Sequence, residues 1–248
     1  MLSVARVFCS KEFVQRSEWR WWSALLAGTL VYVIATITSV GVALILIMGR
    51  MSRSELASGA VPDIDSAMAV ILLTSQLLVI GALVILAGWR KSDWLSNLYL
   101  LPVSLRRTWV IAFIAMIAVL WGAAAVWDHV YPEAVRADGQ WGSELLLAPG
   151  TRTVAFLMVV IGAPVSEELL FRGFVLPPLA KTRLGFWGAA AVTTLTWMAT
   201  HFYSWQGSLE IMVLGFALSY LLWRTGSILP SIALHGLWNG VYAAFALY

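Results

Sequence analysis

The sequence predicts an all-α polytopic membrane protein, a transmembrane helical bundle of about seven spans with a cytoplasmic N-terminus, and three observations carry that prediction. Of the 248 residues 60% are hydrophobic and only 12% charged, and the mean hydropathy is +0.83. That leaves too few polar side chains to cover a soluble domain. The apolar residues also fall in charge-free runs, several of which exceed the roughly 20 residues a helix needs to cross the hydrocarbon core. Finally, lysine and arginine concentrate in alternate connections, as cytoplasmic loops require. The pI near 9.2 is then a topology signal. The surrounding partner is membrane lipid, and no nucleic acid is expected.

Taken in order, the first span lies between Arg20 and Arg50, the second between Asp65 and Arg90, and the third between Arg107 and Asp128. The first run is far longer than the roughly 7–15 residues of a signal-peptide core and no small-residue cleavage site follows it, so it is expected to stay as a span. Cys9 is the single cysteine, which excludes an internal disulfide framework and a cysteine-based zinc site. Trp19, Trp21, Trp22, Trp89, Trp94, Trp109 and Trp127 flank these runs and read as an interfacial belt. The connection from Asp128 to Gly150 holds His129, Glu133, Asp138 and Glu144. Scattered charges in an exterior loop are expected to be solvated, with cation binding as the alternative.

A fourth span begins near Thr151 and runs to the Pro177-Pro178 pair, where lost amide donors should end or kink it. A fifth runs from Phe186 to Ser204, a short sixth from Ser208 to Trp223, and a seventh from Ser227 to Tyr248. With the N-terminus inside, the inner segments carry Arg6, Lys11, Arg16, Arg20, Arg90, Lys91, Arg106, Arg107, Lys181, Arg183 and Arg224, whereas the outer ones carry Arg50, Arg53, Arg136 and Arg152. The expected organisation is one membrane domain in two parts. Residues 1–150 supply three transmembrane helices and an external loop; residues 151–248 form a four-helix core. No internal repeat or glycine-rich phosphate loop is present, and the paired broken helices of transporters are not evident.

The core is the part with chemistry. Ala163 to Gly173 reads A-P-V-S-E-E-L-L-F-R-G, which sets two glutamates and an arginine in an apolar run. Each ionised group at the bilayer centre costs roughly 2.5–3.5 kcal/mol on insertion scales, so such residues mark function. Residues four apart share a helix face, so Glu168 and Arg172 can pair, whereas Glu167 is turned about 100° from Glu168 and faces something else. A structural ion pair accounts for Glu168 and Arg172. Glu167 needs another partner, such as His201, or a proton.

Further polar groups stand in the neighbouring spans. Thr193, Trp197, Thr200, His201 and Ser204 form one stripe in the fifth, and His235 and Asn239 share a face in the seventh. At about 1.5 Å of rise per residue, counted from the inner ends, Glu167 lies roughly 20 Å along its helix, His201 roughly 22 Å, Asn239 roughly 18 Å and His235 roughly 12 Å. The spans can therefore bring them together. The bland alternatives are hydrogen-bonded packing residues.

Amide hydrolysis needs an activated water, donors for the developing oxyanion and an acid for the leaving amine. Glu167 can take a proton from water with His201 assisting, and His235 with the Asn239 amide can supply donors that a carboxylate cannot. Glu167, His201 and His235 could alternatively be three ligands of a catalytic zinc. No H-E-x-x-H spacing supports that, and no cofactor is expected.

E-E-L-L-F-R at Glu167 to Arg172, Trp-x-x-x-His at Trp197 to His201, and H-G-L-W-N at His235 to Asn239 resemble the three motifs of the CPBP intramembrane proteases, the family of CAAX prenyl proteases and bacteriocin-processing enzymes also called Abi. The resemblance covers roughly Thr151 to Tyr248. It implies a metal-independent glutamate endopeptidase in which Glu167 is the water-activating base, His201 assists it, His235 and Asn239 form the oxyanion hole, and Glu168 and Arg172 support the first motif. The implied substrate is a membrane-associated peptide or protein; prenylated C-termini are the family's eukaryotic targets, and nothing in the sequence reports a prenyl pocket. The implied location is an integral membrane one, the cytoplasmic (inner) membrane of a bacterium. One departure stands out: the second motif usually has Phe where this chain has Trp197, which should alter cleft shape more than chemistry. The competing function is a non-catalytic membrane partner, such as an immunity or accessory protein that binds peptides in the same cleft. Solute transport is a third.

Overall fold

The computed structural model describes residues 17–51, 54, 64–90, 93–103, 107–148 and 150–247. Cys9, the basic N-terminal segment and the charges at positions 53, 55, 63, 91 and 106 lie outside them, as do the side chains of Asp65 and Trp109. Among the described residues every regular element is helical, as the composition predicts. We number them α1 Trp21–Arg50, α2 Ile64–Arg90, α3 Trp94–Asn97, α4 Arg107–Val130, α5 Pro132–Leu147, α6 Arg152–Leu179, α7 Gly185–Ala199, α8 Trp205–Thr225 and α9 Leu229–Leu247.

Five of these helices, α1, Ser66–Trp89 within α2, Phe113–Val130 within α4, α6 and α8, are long and apolar enough to cross a membrane. The expected sixth span, read as short, is the 21-residue α8. The expected fifth is shorter than its apolar run. Helix α7 stops at Ala199 after 15 residues, so Thr200, His201 and Ser204 lie on a turn beyond it. Helix α9 has 19 residues, and His235 and Asn239 lower its hydropathy.

Small residues let the bundle close. Ala24, Gly28, Ala35, Ser39 and Ala43 form the buried stripe of α1, the pattern by which membrane helices pack backbone to backbone without a hydrophobic drive. The main apolar core joins α1, α2, α6, α7, α8 and α9 around residues such as Leu83, Leu176, Leu218, Leu222 and Leu234. The tryptophans divide between two roles. Trp21, Trp22 and Trp89 are exposed, as a belt requires, whereas Trp19 packs edge-on to Phe174 at 5.0 Å and Trp127 contacts Tyr131 and Trp205.

The connection expected as a solvated loop is mostly helix α5. Glu133 and Glu144 are exposed as expected, but Asp138 is not simply solvated. Its two carboxylate oxygens accept from the Ser204 backbone N–H at 2.8 Å and the Ser204 hydroxyl at 2.6 Å. Ser204 in turn caps α8 by accepting from the Gly207 N–H at 3.2 Å. A carboxylate here satisfies orphan donors and complements the positive helix end, so α5 is tied to the turn that carries His201. Asp138→Ala should lower the stability of the purified protein by about 1–3 kcal/mol, the usual range for losing a cap together with a charge-assisted bond. Denaturation of the two proteins in the same detergent checks this.

Candidate active site

Helix α6 organises the site because it is not a uniform α-helix. Two π-helical stretches, Met158–Gly162 and Glu168–Val175, alternate with α-helical turns, an arrangement frequent at functional sites. The local cause of the first is legible in the chain. In π register the Ala163 N–H donates to the Met158 carbonyl; the next donor, for the Val159 carbonyl, would be residue 164, which is proline and has no N–H. An orphan carbonyl is thereby left inside the protein. The Asn239 carboxamide fills it, donating from Nδ2 to the Val159 oxygen at 2.9 Å. The close approach this needs depends on Gly236, where a Cβ would come within 2.8 Å of the Val160 carbonyl.

The second π stretch carries the expected ion pair. Arg172 Nη1 donates to Glu168 Oε1 at 3.0 Å, and both side chains are fully buried. The guanidinium also donates through Nη2 to the Gly215 carbonyl at 3.2 Å and lies over the Trp197 ring at 4.6 Å. A glycine leaves room for this approach, since a Cβ at position 215 would meet Thr194 Cγ2 at 2.5 Å and force a shift.

Glu167 and Glu168 were expected to face different partners, yet one imidazole meets both. His235 is 2% exposed; its Nδ1 lies 3.2 Å from Glu168 Oε1 and its Nε2 lies 3.9 Å from Glu167 Oε2. A carboxylate can only accept, so the Glu168 contact places a hydrogen on Nδ1 and leaves Nε2, in the neutral ring, as an acceptor facing Glu167. The residue that orients the histidine is itself held by Arg172.

Sequence reasoning offered His201 as the partner of Glu167. The structure gives that place to Trp197, whose indole Nε1 donates to Glu167 Oε2 at 2.5 Å. His201 is linked to the carboxylate only through this residue: its Nδ1 pairs with the Trp197 carbonyl at 2.9 Å, and the two rings meet edge-on at 5.1 Å. Because a carbonyl only accepts, His201 carries its hydrogen on Nδ1 and keeps Nε2 as an acceptor. The next residue, Phe202, has φ +54 and is 93% exposed, a backbone state that is uncommon for a bulky side chain and that clusters near functional sites.

Glu167 is half-buried, its side chain a quarter exposed. The Tyr203 phenol, on the turn beyond α7, is pushed up to about 12 by partial burial and then by the charges of Glu167, Asp138 and Glu210. It therefore stays a neutral donor at working pH. Among the described residues no three His, Cys, Asp or Glu side chains are grouped so as to hold a metal ion. The three zinc ligands considered above, Glu167, His201 and His235, are not brought together as such a set.

Residues 149–241 match the family model described as Type II CAAX prenyl endopeptidase Rce1-like. Comparison with curated proteins and with solved structures gave no match. The matched segment contains α6 to most of α9 and every residue just described from Glu167 to Asn239. Together with the apolar helices it marks an integral membrane hydrolase that acts on a peptide or protein substrate in the membrane. Residues 149–241 form an Rce1-like domain of the CPBP type, a domain that implies CAAX-type endopeptidase activity.

Proposed function

We propose that this chain cleaves a membrane-associated peptide or protein with a water activated by Glu167. The observation that carries the reading is the seat of that carboxylate: partly open to solvent, held by Trp197 on one side and facing the Nε2 of His235 on the other, where α6, α7 and α9 meet. Glu167 takes a proton from water as the oxygen attacks the scissile carbonyl. From the solvent-facing oxygen of Glu167 the proton passes through a bridging water to His235 Nε2, which lies 3.9 Å from the other carboxylate oxygen. His235 then presents an N–H beside the second, uncommitted N–H of Asn239, and the two stabilise the oxyanion. As the carbon–nitrogen bond breaks, the proton held on His235 Nε2 passes to the leaving amine, and His201, whose Nε2 accepts, helps to relay it through water. Glu168 and Arg172 keep the imidazole in the working tautomer. No bound cofactor is required by this scheme.

The substrate class the domain suggests is a lipid-modified C-terminal peptide. The purified protein reconstituted in phospholipid vesicles should release a C-terminal fragment from a farnesylated peptide, read by mass spectrometry, with the same rate in the presence of a zinc chelator. Hydrolysis abolished by the chelator and restored by added zinc overturns the metal-independent mechanism; no cleavage of the farnesylated or the unmodified peptide favours the non-catalytic peptide-binding alternative.

A further inference from the structure

The indole of Trp197 is held on several sides at the site. It is 1% exposed. One face lies under the Arg172 guanidinium at 4.6 Å, and the rings of His201 and His235 pack edge-on to it at 5.1 and 5.2 Å. Its single donor, Nε1–H, therefore has one direction to point, and at 2.5 Å it meets Glu167 Oε2. The same oxygen is the one that faces His235 Nε2. Among the described residues Oε1 of Glu167 has no hydrogen-bond partner, and it is this half of the carboxylate that is left for solvent.

We infer that Trp197 is a positioning residue for the reaction: its indole N–H immobilises Oε2 of Glu167 and so selects Oε1 as the oxygen that receives the proton of the attacking water. This rests on the reading of Glu167 as the base. The resembled motif usually has Phe at this place, and a phenyl ring could keep the contacts with Arg172 and the two imidazoles but has no donor. Without the bond the carboxylate is free to rotate about its terminal torsion, a broad and nearly two-fold one, and its basic oxygen is no longer held on the attacking water. Orientation lost in this way lowers turnover more than substrate affinity.

Two variants and two measurements test this. Trp197→Phe removes the donor and the outer ring; replacing Trp197 with the isosteric benzothienylalanine through a reassigned stop codon removes the donor alone. Both should lose roughly 10- to 100-fold in kcat, the worth of one charge-assisted bond, with KM within about twofold of the parent. A benzothienyl protein with full kcat overturns the proposal, and so does a fall confined to KM. The second measurement does not depend on activity. In 15N-tryptophan-labelled protein in micelles, the indole resonance missing from the Trp197→Phe variant should stand furthest downfield and move upfield in Glu167→Ala. A resonance indifferent to Glu167→Ala means that the bond is absent and ends the proposal. If instead the resonance behaves as expected while the Glu167→Ala protein keeps full turnover, the role of Glu167 as base has failed and the catalytic part of the proposal falls with it; a silent kcat in the benzothienyl variant alongside an inactive Glu167→Ala protein sinks the positioning role alone.

Discussion

Glu167→Gln should lower kcat by roughly 10²- to 10⁴-fold, the range that general acid–base catalysis supplies, and leave the fold intact. The substitution changes one atom. Glutamine keeps a side-chain carbonyl that can accept from the Trp197 indole, and it fills the same volume beside His235. What it lacks is the ability to take a proton from water and hand it to an imidazole. Thermal denaturation should therefore be nearly unchanged or slightly raised, since a charged group in a poorly solvated place is replaced by a neutral one. KM should move little. Turnover of the reconstituted variant on the farnesylated peptide, alongside its denaturation curve, checks both halves; full activity would remove Glu167 from the mechanism, and a collapsed protein would show that its role is structural.

The periodicity of the chain revealed the larger part of this site and stopped at identifiable places. Glu168 and Arg172 could be paired from their spacing alone, because residues four apart meet on a helix whether or not it is slightly widened. The convergence of Glu167 and Glu168 on one histidine was not legible. An α-helix turns neighbouring residues about 100° apart, whereas helix α6 passes into π geometry at Glu168, and an imidazole with a nitrogen on each side can receive two carboxylates at once. A signal for this was present in Pro164, whose missing donor leaves the Val159 carbonyl to Asn239. The same bond means that one N–H of Asn239 holds the backbone, so the oxyanion role proposed for it rests on the other. The Trp197 contact was hidden for a different reason. In a membrane sequence tryptophans are read as anchors or packing, and only tertiary placement shows which indole N–H meets a carboxylate. The α7 boundary was missed because apolar runs report burial in lipid, while the turn at Thr200 and His201 is fixed by backbone capping on Trp197 and Met198 carbonyls.

Arg172→Met should be the most destabilising single change at this site, by about 3–5 kcal/mol, because it strands a buried carboxylate. Arg172 and Glu168 are both fully buried and hydrogen-bonded to each other, so desolvation of each is offset mainly by its partner. Without the guanidinium, Glu168 retains only the His235 contact, and the Gly215 carbonyl loses the Nη2 donor that ties α8 to α6. The asymmetry between breaking a pair and removing it gives the decisive comparison. Glu168→Gln combined with Arg172→Met eliminates both charges, and glutamine can still accept the Nδ1–H of His235, so the double variant should be more stable than Arg172→Met alone. Arg172→Lys should not substitute for it, since a point ammonium cannot donate in fork geometry to Glu168 and Gly215 while lying flat on an indole. Unfolding of the parent, Glu168→Gln, Arg172→Met and the double variant in mixed micelles closes the cycle, and additivity of the two single effects would show that the charges are not coupled. Activity separates the roles further. If Glu168 serves to hold the His235 tautomer, the double variant should recover stability without recovering full turnover, because a neutral amide orients the ring but stabilises its protonated form less than a carboxylate does.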